Sequence, residues 1–413
     1  MAWDQTRRGP ARGDQARGDQ ARGDQARGDQ TRGGQARNDQ RPATSRSGGQ
    51  RSGGAAKGKE PLHKDSARRE YARRDQQRER PPLEEPREAW TYPLPEGPSL
   101  PEWMREETFT GYLVVPEFLP ELMAELDLEG PAGAGHLVFG DLVFTRRERP
   151  AVWAQNIWRG ARLLPAPSIG QGAKALRDVQ RNWWPHPVRL ARRAALIAEK
   201  LPKVSAKPQV FGTPAPTAPL GSFTLWDETT LIAAADCTSP YPDGQVRFVE
   251  DRESAPSRAY LKLWEALTLV GVRPKPGELC LDLGSCPGGW TWVLASCGAR
   301  VFSVDKAPIE PKIAAMPEVQ FCQGSGFGLE PRVAGGPGAQ VDWLCSDMAC
   351  YPARLFELVQ RWLEADACRN FVCTLKCQGE TDHATIQAFA AIPGSRVLHL
   401  AHNKHELTWA LIR

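Results

Sequence analysis

Residues 279–290 read Leu-Cys-Leu-Asp-Leu-Gly-Ser-Cys-Pro-Gly-Gly-Trp and join a carboxylate to three glycines at a spacing that can hold a ligand. The apolar run ends on Asp282. Gly284, Gly288 and Gly289 follow, removing side chains where backbone N–H groups must approach a bound molecule. Ser285, Cys286 and Pro287 complete the turn, and Trp290 begins a helix. Asp305 ends the next apolar run, 23 residues after Asp282. An acid at that place accepts hydrogen bonds from ribose hydroxyls. The turn lacks the G-x-G-x-x-G spacing that cradles a pyrophosphate. Its G-x-x-x-G-G spacing behind an acid suits a nucleoside cofactor with an amino-acid tail, such as S-adenosylmethionine (SAM). For the glycines taken alone, a plain tight turn is the alternative.

Four further charged residues fall at strand ends or beside them. Asp347 closes Val341–Asp347 and Lys376 closes Asn370–Lys376. Glu406 opens the last strand, and Lys262 lies in the helix that precedes the first. Singly, each reads as a surface charge. A lysine at the end of a buried strand is unusual, because burial disfavours its charge unless a carboxylate stands beside it. Ends of parallel strands converge on one edge of a sheet, so Asp347 and Lys376 are expected beside the cofactor turn.

The elements that must position these residues alternate from Pro256 onward. Strands are expected at 279–283, 300–305, 319–323, 341–347, 370–376, 397–402 and 407–412, and helices at 258–270, 289–297, 308–315, 352–365 and 382–391. The last two strands are joined by a short connection and should pair antiparallel. The fold class is therefore α/β, a Rossmann-like domain with a seven-stranded sheet whose last strand is antiparallel. It is preceded by a small α+β module, with a strand at 111–116, a helix at 117–126, a hairpin around Gly140-Asp141, and short strands at 222–226, 230–234 and 245–249. The expected boundaries are 1–105 for a tail and Pro-rich linker, 106–252 for the module and 253–413 for the α/β domain.

Residues 11–30 are four copies of Ala-Arg-Gly-Asp-Gln. A polar pentad has no apolar face to bury, so this tail is expected to be disordered. The formal charge is +4, but residues 1–90 hold 21 Lys/Arg against 14 Asp/Glu, which leaves the rest slightly acidic. The start has no apolar signal segment, and no apolar run is long enough to span a membrane. Ten cysteines without a C-x-x-C pair read as reduced, packed thiols in a cytoplasmic protein rather than as a metal site.

Between Arg159 and Lys207 there are 11 Lys/Arg and two acids. Arg177, Arg181, Trp183, Trp184, Arg189, Arg192 and Arg193 interleave groups that neutralise phosphates with groups that stack on bases. Together with Arg258 they are the candidate RNA contacts. The alternative is an amphipathic helix pair whose core face is Leu190, Ala194, Ile197 and Leu201. Both can hold at once.

Ser257-Arg-Ala-Tyr-Leu-Lys262, Asp282-Leu-Gly-Ser-Cys-Pro-Gly-Gly-Trp290, Ser346-Asp-Met348, Thr374-Leu-Lys376 and His405-Glu-Leu-Thr408 together resemble the FtsJ-type RNA ribose 2′-O-methyltransferases. Within them the resemblance is nearest to the bacterial type that methylates a cytidine of 23S rRNA, and it covers about 256–413. It implies a SAM-dependent rRNA methyltransferase with a catalytic tetrad of Lys262, Asp347, Lys376 and Glu406. It also implies cofactor contacts from the 282–290 segment, Asp305 and Asp347, a THUMP-like RNA-binding module ahead of the catalytic domain, and neither metal nor membrane. In this reading Lys376 is the general base or stabilises the developing alkoxide, and Asp347 and Glu406 orient the lysines. A monomer is expected. One departure stands out: the type carries an acid near the adenine where this chain has Ser325, so that contact falls to Ser325, the backbone or Gln323. A tRNA or mRNA-cap substrate, and a non-catalytic RNA-binding protein with a retained SAM pocket, are the competing readings.

Overall fold

The computed structural model describes residues 100–331 and 340–413. Its first part is built from α1 (Glu102–Glu106), β1 (Phe109–Leu113), α2 (Leu119–Glu125), β2 (Ala132–Gly133), β3 (His136–Phe139), β4 (Leu142–Thr145), β5 (Asn156–Pro165), α3 (Ile169–Arg177), β6 (Trp183–Pro185), α4 (Ala191–Ala198), β7 (Gly221–Leu225), β8 (Thr230–Ala234) and β9 (Asp236–Cys237). The strands form one sheet in the order β2-β3-β4-β1-β5-β8-β7-β6, with β9 pairing β5. β3 and β4 make the expected hairpin, register Phe139 opposite Leu142, with Gly140 at a positive φ of 64°. On one flank of the sheet, α3 and α4 bury Ala173, Leu176, Ala194 and Ile197 against Phe223 and Leu231.

The second part contains α5 (Tyr260–Val270), β10 (Leu279–Leu283), α6 (Gly289–Ser296), β11 (Arg300–Asp305), α7 (Pro311–Ala314), β12 (Val319–Gln323), β13 (Val341–Ser346), α8 (Pro352–Glu364), β14 (Cys368–Lys376), α9 (His383–Ala390), β15 (Ser395–Leu398) and β16 (Glu406–Leu411). The sheet order is β12-β11-β10-β13-β14-β16-β15. β10 to β14 run parallel, and β16 is antiparallel to both of its neighbours. Parallel strands covered on both faces read as continuous apolar runs, as in Phe371–Leu375, where every residue is buried. The helix α8 shows the other period, with Leu355, Leu358, Val359 and Trp362 buried on one face.

The two parts share a core. Tyr112, Phe118, Leu122 and Trp153 of the first pack in one cluster with Phe371, Leu375 and Trp409 of the second. Among the described residues no helix is long and apolar enough to cross a membrane, and no group of three or more metal-ligating side chains forms.

Several expectations need correction. Ordered packing is present before residue 106, inside the expected tail and linker, since Leu100, Trp103 and Met104 are buried against the first sheet. The segment 150–207 is not only a helix pair, because β5 and β6 lie within it. The run 245–249 is no strand and makes one bridge, Gln209 with Phe248. The strand expected at 397–402 is Ser395–Leu398, starting two residues earlier and ending four earlier. The pentad tail and the Pro-rich linker lie outside the described residues.

Candidate active site

The chain runs outward from β10 through β11 to β12, then returns to β13 on the other side of β10. That reversal leaves a crevice at the carboxyl ends of β10 and β13, where open α/β sheets bind ligands. The cleft found there has a volume of about 400 Å³, and Gly284, Cys286, Asp305, Ser325, Asp347 and Lys376 border it. The fold thus brings the glycine turn, Asp305 and two of the reactive candidates to one hollow.

The turn is held by its own chemistry. Gly284 has φ +83°, and a Cβ there would lie 2.6 Å from Cγ and 2.8 Å from Cα of Met348. Asp305 accepts the Cys286 N–H and the Ala307 N–H, both at 2.9 Å, so its carboxylate is fixed at the cleft wall. Asp282 is fully buried. It accepts a 2.6 Å hydrogen bond from Thr291 Oγ1, and burial raises its carboxyl to about 7. Asp282, Ser285, Pro287, Gly288, Gly289 and Trp290 are not among the walls of the cleft. Their part is to shape the turn: Trp290 donates its indole N–H to Ala259 O at 3.0 Å, tying α6 to α5.

The residues fit a cofactor of the expected kind in two respects. Gly284 borders the cleft with no side chain, and a Cβ there would meet Met348, so the turn presents backbone to whatever binds. The acid at the end of β11 also offers its carboxylate to the cleft. At the far end, Gln323 gives its amide N–H to Lys306 O at 3.0 Å, whereas Ser325 is exposed and borders the cleft.

The four charged candidates meet. Lys262 Nζ donates to Asp347 Oδ1 at 2.9 Å, to Asp347 Oδ2 at 3.0 Å and to Glu406 Oε1 at 3.0 Å. Lys376 Nζ donates to the Asp347 carbonyl at 2.7 Å and lies 3.0 Å from Asp347 Oδ1. Lys376 and Glu406 are directly opposed across β14 and β16, which explains how residues thirty apart in sequence share one site. The four side chains are 11–22% exposed, so the cluster of two cations and two anions is largely removed from water. Burial works against the charge of Lys262, but Asp347 and Glu406 outweigh it and raise its pKa. Lys262 is therefore a fixed cation. Lys376 and Asp347 are the tetrad members that border the cleft.

The candidate RNA contacts separate. Trp183 is buried between α3, α4 and β7, and its indole N–H donates to Leu176 O and Gln180 O at 3.0 Å. It has no free ring face for a base, which corrects its assignment. Trp184 donates to Asp243 at 2.9 Å, Arg193 to Ala166 O at 3.0 Å and Arg177 to Lys200 O at 2.8 Å. Arg189 lies 5.0 Å from the ring centroids of Phe139 and Trp226. Arg258 is exposed and pairs with Glu250 at 2.8 Å. Arg177, Arg181 and Arg192 stand exposed.

Sequence reasoning missed two features. Arg354 lies 4.0 Å over the ring of Phe327, and both border the cleft beside Ser325. Glu265, fully buried on the same helix as Lys262, grips the loop ahead of Glu406. Helical spacing from Lys262 was the available signal for Glu265; nothing marked Arg354.

A parallel sheet with a reversed seventh strand, a glycine turn, an acid at the cleft wall and a largely buried Lys-Asp-Lys-Glu cluster at its switch point define a Rossmann-type methyltransferase fold. Residues 255–391 match the FtsJ-like methyltransferase family. It is similar to proteins named Ribosomal RNA large subunit methyltransferase M. The one from Halorhodospira halophila is 35% identical over 176 residues, 41% of this chain and 50% of that protein. The one from Alkalilimnicola ehrlichii is 33% identical over 195 residues, 43% of this chain and 51% of that protein. The Azotobacter vinelandii protein is 32% identical over 199 residues, 44% of this chain and 54% of that protein. The chain thus spans about half the length of the curated relatives it matches.

Proposed function

We propose that this protein is a SAM-dependent RNA ribose 2′-O-methyltransferase acting on large-subunit (23S) rRNA, with a cytidine as the methylated nucleotide. The observation that carries the reading is the position of Lys376: its ammonium group borders the cleft while Asp347 and the cross-strand Glu406 hold the surrounding charge. SAM supplies a methyl group already activated on a sulfonium. The protein must then hold a weak nucleophile in line and manage its proton.

Three N–H donors belong to a lysine ammonium, and two directions at Lys376 are taken by the Asp347 carbonyl and carboxylate. The remaining one is available to the ribose 2′-oxygen, where the ammonium stabilises the charge developing on oxygen; as a neutral amine the same nitrogen would instead take up the hydroxyl proton through its lone pair. Oxygen–carbon bond formation is matched by loss of the carbon–sulfur bond, leaving a neutral thioether. Lys262 holds Asp347 and Glu406 apart and in place. Asp305 would receive the cofactor ribose, and Ser325, Phe327 and Arg354 would surround its base. The sheet module at 106–252 is assigned to RNA, in the manner of a THUMP-like domain, through the exposed Arg177, Arg181, Arg192 and Arg258. A cytoplasmic monomer completes the reading.

The test is calorimetry with SAM, followed by transfer of labelled methyl from SAM to 23S rRNA and, separately, to tRNA. Binding and transfer to 23S rRNA are expected. Absence of SAM binding refutes the enzyme reading, and transfer confined to tRNA refutes the substrate.

A further inference from the structure

Glu406 enters β16 from the loop 399–405, and that loop is gripped from two sides. From the catalytic domain, Glu265 accepts the Ala401 N–H at 2.9 Å, the His402 N–H at 3.1 Å and the His402 Nδ1 at 2.6 Å. Its side chain is wholly buried, and these three bonds supply the partners that a buried carboxylate demands. Glu265 sits three residues after Lys262 on α5, hence on the same helical face. One helix therefore holds Glu406 twice: Lys262 takes its carboxylate at 3.0 Å, and Glu265 takes the backbone that delivers it.

From the other side the loop meets the first sheet module. His399 Nδ1 lies 3.2 Å from Trp153 O. The Phe118 ring stacks on His405 at 5.8 Å and meets His399 edge-on at 4.9 Å. Glu121, a buried acid of α2, points Oε1 to within 3.6 Å of His405 Nε2, which also lies 2.9 Å from Thr381 Oγ1. His405 immediately precedes Glu406. Polar groups of this number, buried at a boundary between two sheets, fix position more than they add stability.

We infer that loop 399–405 is the positioning element of Glu406, with Glu265 as its positioning residue on the catalytic side and the Phe118–Glu121 turn of α2 as its counterpart on the module. The module then completes the active site as well as meeting RNA, and this inference rests on the methyltransferase reading only for its kinetic readout. Displacing the loop moves Glu406 relative to Lys262 and Lys376. A misplacement of about 1 Å at a reactive group can cost on the order of 100-fold in rate.

The experiment uses the full chain with Glu265→Gln and, separately, Glu121→Gln. A third variant, His402→Ala, removes only the partly exposed imidazole contact and serves if Glu265→Gln does not fold. Two signals are read: methyl transfer at saturating SAM, and the NMR titration of the Lys262 side chain in labelled protein. Expected are a fall in kcat of roughly 10- to 100-fold for Glu265→Gln, a smaller fall for Glu121→Gln, unchanged calorimetric affinity for SAM, and a Lys262 titration shifted to lower pH because Glu406 no longer faces it. Unchanged kcat together with an unchanged Lys262 titration in folded variants overturns the inference. A wild-type protein that transfers no methyl group refutes the functional reading alone, and the lysine titration still decides the positioning.

Discussion

Replacing Lys262 by methionine removes an ammonium that sits 2.9–3.0 Å from both Asp347 oxygens and 3.0 Å from Glu406. Lys376 then faces two carboxylates, and it is already committed to Asp347 at 3.0 Å. Glu406, only 13% exposed, keeps a charge that water solvates poorly. Removing one partner of a buried pair costs about 3–5 kcal/mol. The residual exposure of the cluster places this one near the lower end, about 3 kcal/mol. A domain of this size loses about 2–4 °C per kcal/mol, so the melting temperature should fall by roughly 6–12 °C. The cause can be isolated with Glu406→Gln, which removes the stranded charge without changing the shape of the side chain. Thermal and urea denaturation of the wild type, both single variants and the double variant close the cycle. The double variant should be more stable than the sum of the singles by about 1–3 kcal/mol. The Lys262→Met defect should also shrink in acid, because protonation removes the carboxylate charge that the missing ammonium leaves unpaired. Strict additivity, or a defect independent of pH, would refute the picture of a mutually compensated cluster.

Three other outcomes follow from the geometry. Gly284→Ala should destabilise the domain by about 2 kcal/mol or more and weaken SAM binding, because a Cβ at φ +83° meets the Met348 backbone as well as its side chain; denaturation and calorimetry on one sample measure both. Asp305→Asn should lower SAM affinity about tenfold or more, the scale of a hydrogen bond to a charged group, and should lower the melting temperature as well, because an amide cannot accept both the Cys286 and the Ala307 N–H. His186 bridges Asp141 and Asp243 at 2.9 Å each; burial opposes its charge, but the two carboxylates prevail and raise it to about 9. Its folded value lies above the ordinary 6.5, so its stabilisation is complete below pH 6.5 and disappears as pH rises through 9. The contribution is on the order of 3 kcal/mol, and an Asp243→Asn variant should show a flatter stability profile over that interval.

The α/β half was legible because strand ends in a parallel sheet are marked twice, by an apolar run and by the charge that stops it. Asp282, Asp305, Asp347 and Lys376 all carry that mark, and the order of strands and helices then dictates which edge they share. The first sheet was harder. β5 carries no clean alternation: Gly160 takes a positive φ, and the register against β1 shifts between Phe109 and Gly111. Its ten residues therefore looked like part of a basic stretch. Trp183 was misread for a related reason. Interleaved Arg and Trp describe both a stacking surface and a core strand, and only the position of α3 and α4 shows that this ring is enclosed. Asp282 and Glu265 show the limit on single residues. Asp282 belongs to the cofactor motif but lies buried beneath it, and Glu265 looks like one more acid on a helix until the loop it holds is visible.

In the proposed reaction Lys376 carries methyl transfer to a ribose hydroxyl, and that role decides the rest. It is tested most directly by mapping 2′-O-methylated nucleotides in 23S rRNA after incubation with SAM and either the wild type or Lys376→Ala. Expected are a single new 2′-O-methyl mark with the wild type, a loss of about 10²–10⁴-fold in its rate of formation with Lys376→Ala, and retained SAM binding in the variant. A mark that forms at the wild-type rate without the lysine, or a methyl group placed on a base, would contradict it.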